Sequence, residues 1–400
     1  MTVPRLRFGA FLSPLHPPGE NPATVLWRDR ELAEWLDALG YDELWVGEHH
    51  SAGWGLISSP ELFLASVAEH TKHLRLATGV VSLPYHHPFM VASRAVQLHH
   101  LTRGRFILGV GAGSLPSDMH MLGIDPGVTR TRTAESIETI RHLLSTEEPL
   151  TATAGWFELH DARLQLGPFG GRPIELAISS ASSPFSMRLA GKHGLSPVSF
   201  GAPRPGTDPG NLREQWDHLV SAADEAGRAA DRDRWRITLP VHLADSREQA
   251  IEDVLDGWTA YRLGYWGRTL GLPVTPPRDR GEARALLAES IASHSAIIGS
   301  VEDAVAAIAA IHEVTGGLGQ LLVNVQDWAP RAAVLHSFEL LARFVIPRFD
   351  GSADRAEASA NWVADHRADF LAKALAAQQR AQGVPDTAVE PPKQHTPAAR

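Results

Sequence analysis

The chain has 400 residues, of which 44% are hydrophobic and 21% charged, enough apolar material for a substantial core and too much for a mainly disordered chain. Its 46 acidic and 37 basic residues leave a formal net charge of -9, the wrong sign for a protein that works by neutralising nucleic-acid phosphates. Cysteine is absent, which removes disulfides, thiolate nucleophiles, iron–sulfur clusters and cysteine-bound zinc, and leaves carboxylates and 20 histidines as the groups able to hold a metal.

At the N-terminus Arg5 and Arg7 are not followed by an apolar signal core, and no uninterrupted apolar run reaches transmembrane length; both observations predict a cytoplasmic protein without membrane association. Short β-branched runs then alternate with longer helix-patterned segments, as in parallel βαβ units. Strands are expected at 6–12, 43–47, 74–81, 105–110, 174–178, 196–200, 235–243 and 320–325, with helices at 23–39, 60–70, 87–101, 131–144 and 332–345 between them. Eight parallel strands with crossover helices close most naturally into a TIM (β/α)8 barrel. Local punctuation supports the boundaries: Gly40 and Gly194 end helices, and Ser59-Pro60 and Ser183-Pro184 read as an N-cap followed by a first-turn proline. Trp27, Trp35 and Phe63 fall at helical spacings and read as core.

Two stretches exceed a minimal barrel. Residues 156–165 (WFELHDARLQ) alternate like a short hairpin, and 257–300 is far longer than a βα connection needs. Within the latter, 262–280 carries Gly264, Gly267, Gly271 and three prolines, the composition of a mobile loop. Leaving from the seventh strand, this insertion either folds over the barrel mouth as a lid or forms a peripheral helical excursion. The barrel domain is therefore placed at 1–350, an Ala-rich helical extension at 351–382, and a Pro-rich disordered tail at 383–400.

Three motifs carry candidate chemistry. Glu48-His49-His50 ends the second strand, where alternation sends Glu48 and His50 to one face and His49 to the other, so the three cannot share one ion; no metal site is expected. His49, at the C-terminal end of a barrel strand, reads as a proton-transfer group or as a structural histidine. The pairs His86-His87 and His99-His100 read as surface or packing residues. Gly109-Val-Gly-Ala-Gly-Ser114 fails the dinucleotide fingerprint, since Ser114 and Pro116 stand where a glycine and a helix are required. Its small residues leave room for a flat ligand, or merely permit a tight turn. Ser179-Ser180-Ala181-Ser182-Ser183-Pro184 joins a strand to a helix N-terminus, as a phosphate cradle would, though capping alone explains one or two of the serines. No Walker lysine is present, which fits a statically bound mononucleotide.

Together LWVGEHH (44–50), LATGVVSLP (76–84), GRFILGVGAG (104–113) and SFELLARFVIP (337–347) resemble the bacterial luciferase-like flavin monooxygenases over roughly residues 5–350. FGAFLSPLHPPGENP (8–22), YHHP (85–88) and MRLAGKHG (187–194) are most similar to its limonene 1,2-monooxygenase-like branch. The resemblance implies a barrel that binds reduced FMN, with FAD or F420 as alternative cofactors. It further implies capture of O2 as a flavin C4a-hydroperoxide and insertion of one oxygen into a small apolar substrate, a terpenoid or a ketone. A separate NAD(P)H-dependent flavin reductase as partner and a homodimer formed through helices beside the second and third strands are also implied. Alternatives are an F420-dependent oxidoreductase on the same barrel and a catalytically silent flavin-binding protein. By motif position His49 corresponds to the catalytic histidine, Gly79-Val80 to a non-proline cis peptide supporting the flavin ring, and Ser179, Ser180 and Ser183 to phosphate-binding positions. Gly111 stands in place of a reactive cysteine near the flavin. Ala112 replaces an arginine that helps hold the phosphate, which predicts weak or transient flavin binding through neutral donors only.

Overall fold

The computed structural model describes residues 5–13, 15–181, 183–202 and 212–383. In chain order it runs β1 (Arg7–Leu12), α1 (Pro22–Leu39), β2 (Glu43–Val46), α2 (Pro60–Ala68), β3 (Arg75–Thr78), β4 (Val81–Ser82), α3 (Pro88–Leu101), β5 (Phe106–Gly111), α4 (Pro116–Met121) and α5 (Thr129–Ser145). The strands β6 (Leu150–Ala154) and β7 (Phe157–Ala162) form an antiparallel hairpin, followed by β8 (Glu175–Ser180), α6 (Pro184–His193), β9 (Ser196–Phe200), α7 (Leu212–Glu225) and β10 (Arg236–Leu243). Then come α8 (Arg247–Tyr261), α9 (Arg280–Ala292), β11 (Ile297–Gly299), α10 (Val301–Thr315), β12 (Gln320–Val325), α11 (Arg331–Leu340), α12 (Pro347–Asp350) and α13 (Asp354–Gly383).

Parallel pairing runs β12-β1-β2-β3-β5-β8-β9, and β10 pairs with both β9 and β12, so the ring closes into the (β/α)8 barrel expected from the strand spacing. The short β4 and β11 are additions to that ring. The first half of β10 pairs with β9, and its last residues, Val241–Leu243, pair with β11. Caps form where the sequence placed them: Ser59 and Ser183 accept hydrogen bonds from Leu62 and Phe185 amides, and Gly40 and Gly194 close α1 and α6 in the left-handed region.

Inside the barrel Phe11, Trp45, Ala77, Ile107, Ala177, Val198 and Leu322 form one apolar layer, while a larger apolar core fills the space between sheet and helices. Two residues earlier on their strands lies a charged ring. Arg236, 1% exposed, meets Glu43 Oε1 at 2.7 Å and Glu175 Oε1 at 2.9 Å, and Arg75 bridges the same carboxylates at 3.0 and 2.6 Å. Burial alone would raise the pKa of Glu175; the two guanidiniums outweigh it and hold the carboxyl at about 2.

Three expectations change. The hairpin uses residues 150–154 as its first strand and only 157–162 of the predicted segment as its second, because the chain turns at Gly155-Trp156. Trp27 and Trp35 are 55% and 36% exposed: they flank the buried stripe of α1 formed by Val25, Leu32, Ala33 and Leu36 and lie outside it. Trp27 instead stacks under Arg30 at 3.9 Å. Finally, 262–269 is helical, continuing α8 as a π-helix, since its aromatic residues bury themselves against other loops of the mouth.

The second unit begins at Gly351 and is described as far as Gly383. By itself α13 carries a ladder of Trp362, His366 and Phe370 at successive turns, with ring centroids 5.2 and 5.8 Å apart. The expected tail beyond 383 lies outside the described residues. No described helix is long and apolar enough to cross a membrane.

Removing one partner from a buried ion network leaves the others desolvated and unpaired. Arg236→Leu is therefore expected to cost about 3–5 kcal/mol of stability in urea denaturation. A loss below about 1 kcal/mol, the level of an exposed pair, would show that the ring does not hold the barrel.

Candidate active site

The C-terminal end of β2 delivers Glu48-His49-His50 to the barrel mouth. The His49 amide donates to Ile57 O, and Gly55 packs so closely that a Cβ there would lie 2.9 Å from the His49 side chain. Its imidazole is 18% exposed, with Nδ1 3.9 Å from Oδ2 of Asp118, a residue of α4 whose side chain is 2% exposed. His49 Nδ1 is buried without a hydrogen-bond partner among the described residues. The Asp118 carboxylate is itself positioned, accepting from the His50 amide and from Ser51 Oγ. A histidine held on three sides, with one nitrogen uncommitted, can hold or pass a proton.

Glu48 points the other way and organises the neighbouring loop. Its Oε1 meets His50 Nε2 at 2.9 Å and His86 Nε2 at 2.6 Å, and its Oε2 accepts from the Ser82 amide at 2.6 Å. Burial would raise this carboxyl; the hydrogen bonds from His50 and His86 outweigh it and hold it at about 2, while Glu48 raises His50 in turn. His86, expected to be a surface or packing residue, is thus part of the site, brought there by the turn at Leu83–Tyr85 that sequence spacing does not reveal. Ligand atoms of Glu48, His50 and His86 lie within 4.8 Å of one another, but the carboxylate oxygens are already engaged by these hydrogen bonds.

The Glu48–Ser82 bond ties β2 to the segment after β3, where the Gly79–Val80 peptide is cis. The glycines of β5 do not open an empty slot; each admits a neighbour. A Cβ on Gly109 would lie 2.0 Å from Thr78 O, and one on Gly111 would lie 2.7 Å from Val80 Cγ2 and 2.8 Å from Ser179 Oγ. Gly113, with φ +77°, faces the Tyr85 hydroxyl, which is buried without a partner among the described residues. Val80, Gly111 and Ser179 therefore converge, from three different strand ends.

Pleating separates the serines. Ser179 shares the inward side of Ala177, whereas Ser180 shares the outward side of Ile178 and is 1% exposed, its hydroxyl unpartnered among the described residues. Ser183 caps α6, and Ser182 lies outside the described residues. Beside these neutral donors, Arg130, in the first turn of α5, donates to Ser183 Oγ at 3.4 Å and lies over Phe185. A cation thus reaches the α6 N-terminus from a different helix, 53 residues away in sequence.

Across the mouth the π-helical turn packs onto the loop after β2. Trp54 packs edge-on against Tyr261 and tilted against Tyr265, donates its indole N–H to Thr269 Oγ1 at 3.1 Å, and abuts Gly264, where a Cβ would lie 2.8 Å from the ring. Beside it His16, 8% exposed, sits between Asp29 and Asp327 at 3.1 and 3.2 Å, and its amide donates to Trp54 O. Burial would lower this imidazole; the hydrogen bonds to Asp29 and Asp327 outweigh it and raise it to about 9. His16, Asp118 and Arg130 carry no signal in the sequence; each acquires its meaning from a partner on another element.

The family described as luciferase-like monooxygenase matches residues 6–317. The 4-hydroxyprotoasukamycin monooxygenase of Streptomyces nodosus subsp. asukaensis is 63% identical over 362 residues, covering 90% of this chain and 97% of that protein. The limonene 1,2-monooxygenase of Rhodococcus erythropolis is 41% identical over 349 residues, 87% of each chain. Among solved structures, the oxygenating constituent of 3,6-diketocamphane monooxygenase of Pseudomonas putida, a type II Baeyer-Villiger monooxygenase in complex with FMN, superposes with a TM-score of 0.72 at 26% identity, covering 86% of this chain and 99% of that one.

Because the folded state holds His16 protonated to about 9, its contribution to stability is complete below the ordinary imidazole range near 6.5 and disappears as pH rises through about 9. Melting temperature is expected to fall between pH 7 and 10 in the natural protein and to fall less in His16→Gln. Parallel curves would remove the ion pair's role. Gly111→Ala is expected to lower stability by about 1–3 kcal/mol by pressing on Val80 and Ser179, and an unchanged urea midpoint would contradict that packing.

Proposed function

This chain belongs to the luciferase-like monooxygenase family, and from that premise we propose that it is an FMN-dependent monooxygenase that transfers one oxygen atom of O2 to a small apolar organic compound. The observation that carries the reading is the convergence of Val80, Gly111 and Ser179 at the same barrel end as His49 and the α6 N-terminus. The donor set fits the cofactor: Ser180 Oγ and Tyr85 OH are buried and unpartnered among the described residues, and the α6 amides face the Ser183 turn with Arg130 alongside. Reduced FMN, when bound, supplies the two electrons with which O2 is split between product and water.

In this reading Gly79, Val80, Gly111 and Ser179 form the seat of the flavin ring, and Ser180, Ser183 and Arg130 hold the phosphate. His49 holds a proton near the reacting atoms, and Asp118, across the 3.9 Å gap from Nδ1, orients the imidazole. The aromatic group of Trp54, Tyr261 and Tyr265 serves as a lid that keeps water out. Relatives named for limonene and for diketocamphanes support a terpenoid or cyclic ketone as substrate class. A flavin reductase supplies the reduced cofactor. Exposed Leu62, on α2, and Met90 and Leu101, on α3, support a second copy docking beside β2 and β3.

His49→Ala is expected to lower product yield by about 100-fold while leaving FMN affinity within about two-fold, measured with a flavin reductase and a terpenoid and ketone panel. Equal yield would remove the proton-holding role. Ser180→Ala with Ser183→Ala should weaken FMN binding in a titration, and Arg130→Ala should weaken FMN but not riboflavin; an unchanged dissociation constant would refute the cradle. Turnover under argon with F420 would overturn the oxygenase reading itself.

A further inference from the structure

A second polar feature lies at the mouth, away from the histidine and the serines. The ends of β10 and β12 separate after the Pro240–Asn324 pair, and a cavity of about 20 Å³ opens between them, closed on the outside by α8 and α11. That volume accommodates one water-sized group. Among its lining residues, Gln326 Oε1 and Trp328 Nε1 are buried without a hydrogen-bond partner among the described residues. One is an acceptor and the other a donor. Of the remaining polar lining, Asn324 Oδ1 accepts from Ser13 Oγ, His242 Nε2 pairs with Asp253, and Ser337 Oγ accepts from the Leu243 amide. No lysine or arginine lines the cavity, and burial holds His242 below the usual imidazole range, so nothing there selects an anion.

The cavity is joined to His49 by one aromatic wall. Trp328 packs on Tyr261 with ring centroids 5.8 Å apart, Tyr261 packs on Trp54 at 6.1 Å, and the residue after Trp54, Gly55, lies against the His49 ring. The wall is packed closely against α8, where a Cβ on Gly257 would lie 2.1 Å from Trp328 O. We propose that this cavity anchors the substrate: it receives a hydroxyl carried by an otherwise apolar compound, with Trp328 Nε1 donating to the hydroxyl oxygen and Gln326 Oε1 accepting its proton. A hydroxyl satisfies both groups at once, whereas a hydrocarbon leaves both unpaired. The apolar body then lies along the Trp328–Tyr261–Trp54 wall toward His49. The assignment refines the substrate class of the proposed monooxygenase and rests on that reading for its catalytic meaning, but not for the binding itself.

The test uses limonene and perillyl alcohol, which share a skeleton and differ by one hydroxyl, titrated calorimetrically into the full chain and into Trp328→Phe and Gln326→Leu. The alcohol is expected to bind the natural protein about ten-fold more tightly than limonene. In each variant that preference should fall below about three-fold, while limonene affinity stays within about two-fold and the melting curve is retained. Equal affinities in the natural protein, no binding of either compound, a preference that survives both substitutions, or an equal loss for both compounds would each overturn the anchor and leave a cavity that holds only water. Oxygen uptake with reduced FMN is measured separately: a preference without oxygen transfer would refute the monooxygenase and keep the anchor, and transfer without preference the reverse.

Discussion

A guanidinium cannot be carried into a protein interior unless carboxylates go with it, and the burial of Arg236 against Glu43 and Glu175 is the interaction on which this barrel's geometry turns. It joins β2, β8 and β10, and Arg75 adds β3. Strand pleating repeats every two residues, so fixing the register at the bottom of the ring fixes what each strand presents at the top. From Glu43 the inward positions pass through Trp45 and reach His49 with the same parity; from Arg75 they pass through Ala77 to Gly79, and from Glu175 through Ala177 to Ser179. A one-residue slip of any of these strands would turn a proposed site residue away from the mouth and strand a charge in the apolar layer.

At the mouth the design principle changes from burial to mutual fit. Gly109 and Gly111 admit neighbouring atoms that any side chain would displace, which is how the end of β3 at Thr78, with Val80 after it, meets β5 and Ser179 of β8. The Glu48 carboxylate does the same electrostatically, drawing His50, His86 and the Ser82 amide onto two oxygens. Around this inner group the loops are closed by apolar contact, with the aromatic turn of the insertion seated on Trp54 and the Asp29–His16–Asp327 pairing beside it. Charge therefore sets the strands and the loop carboxylate, close packing sets the junction of Val80, Gly111 and Ser179, and aromatic burial closes the outer loops.

The order of strands, their approximate limits, the helix caps and the candidates at strand ends were legible in the chain alone, because period-two and period-3.6 hydrophobicity and capping chemistry are local. Glu48 and His49 were assigned to opposite faces for that reason, and family resemblance pointed to the Gly79–Val80 bond, which is cis. What pattern could not supply was partnership across long separations. Arg130 reaches Ser183 from another helix, Asp118 approaches His49 from beyond β5, and His86 joins Glu48 through a turn; each is an ordinary polar residue until folding places an oppositely matched group beside it. The glycine-rich stretch after α8 shows the same limit in reverse, since its composition favours a loop while Trp54 and Tyr261 offer an apolar surface that makes a helical turn worth forming. Local sequence determined the elements and their ends; tertiary structure decided which polar groups meet, because the energy of a buried hydrogen bond or ion pair exists only once both partners have left water together.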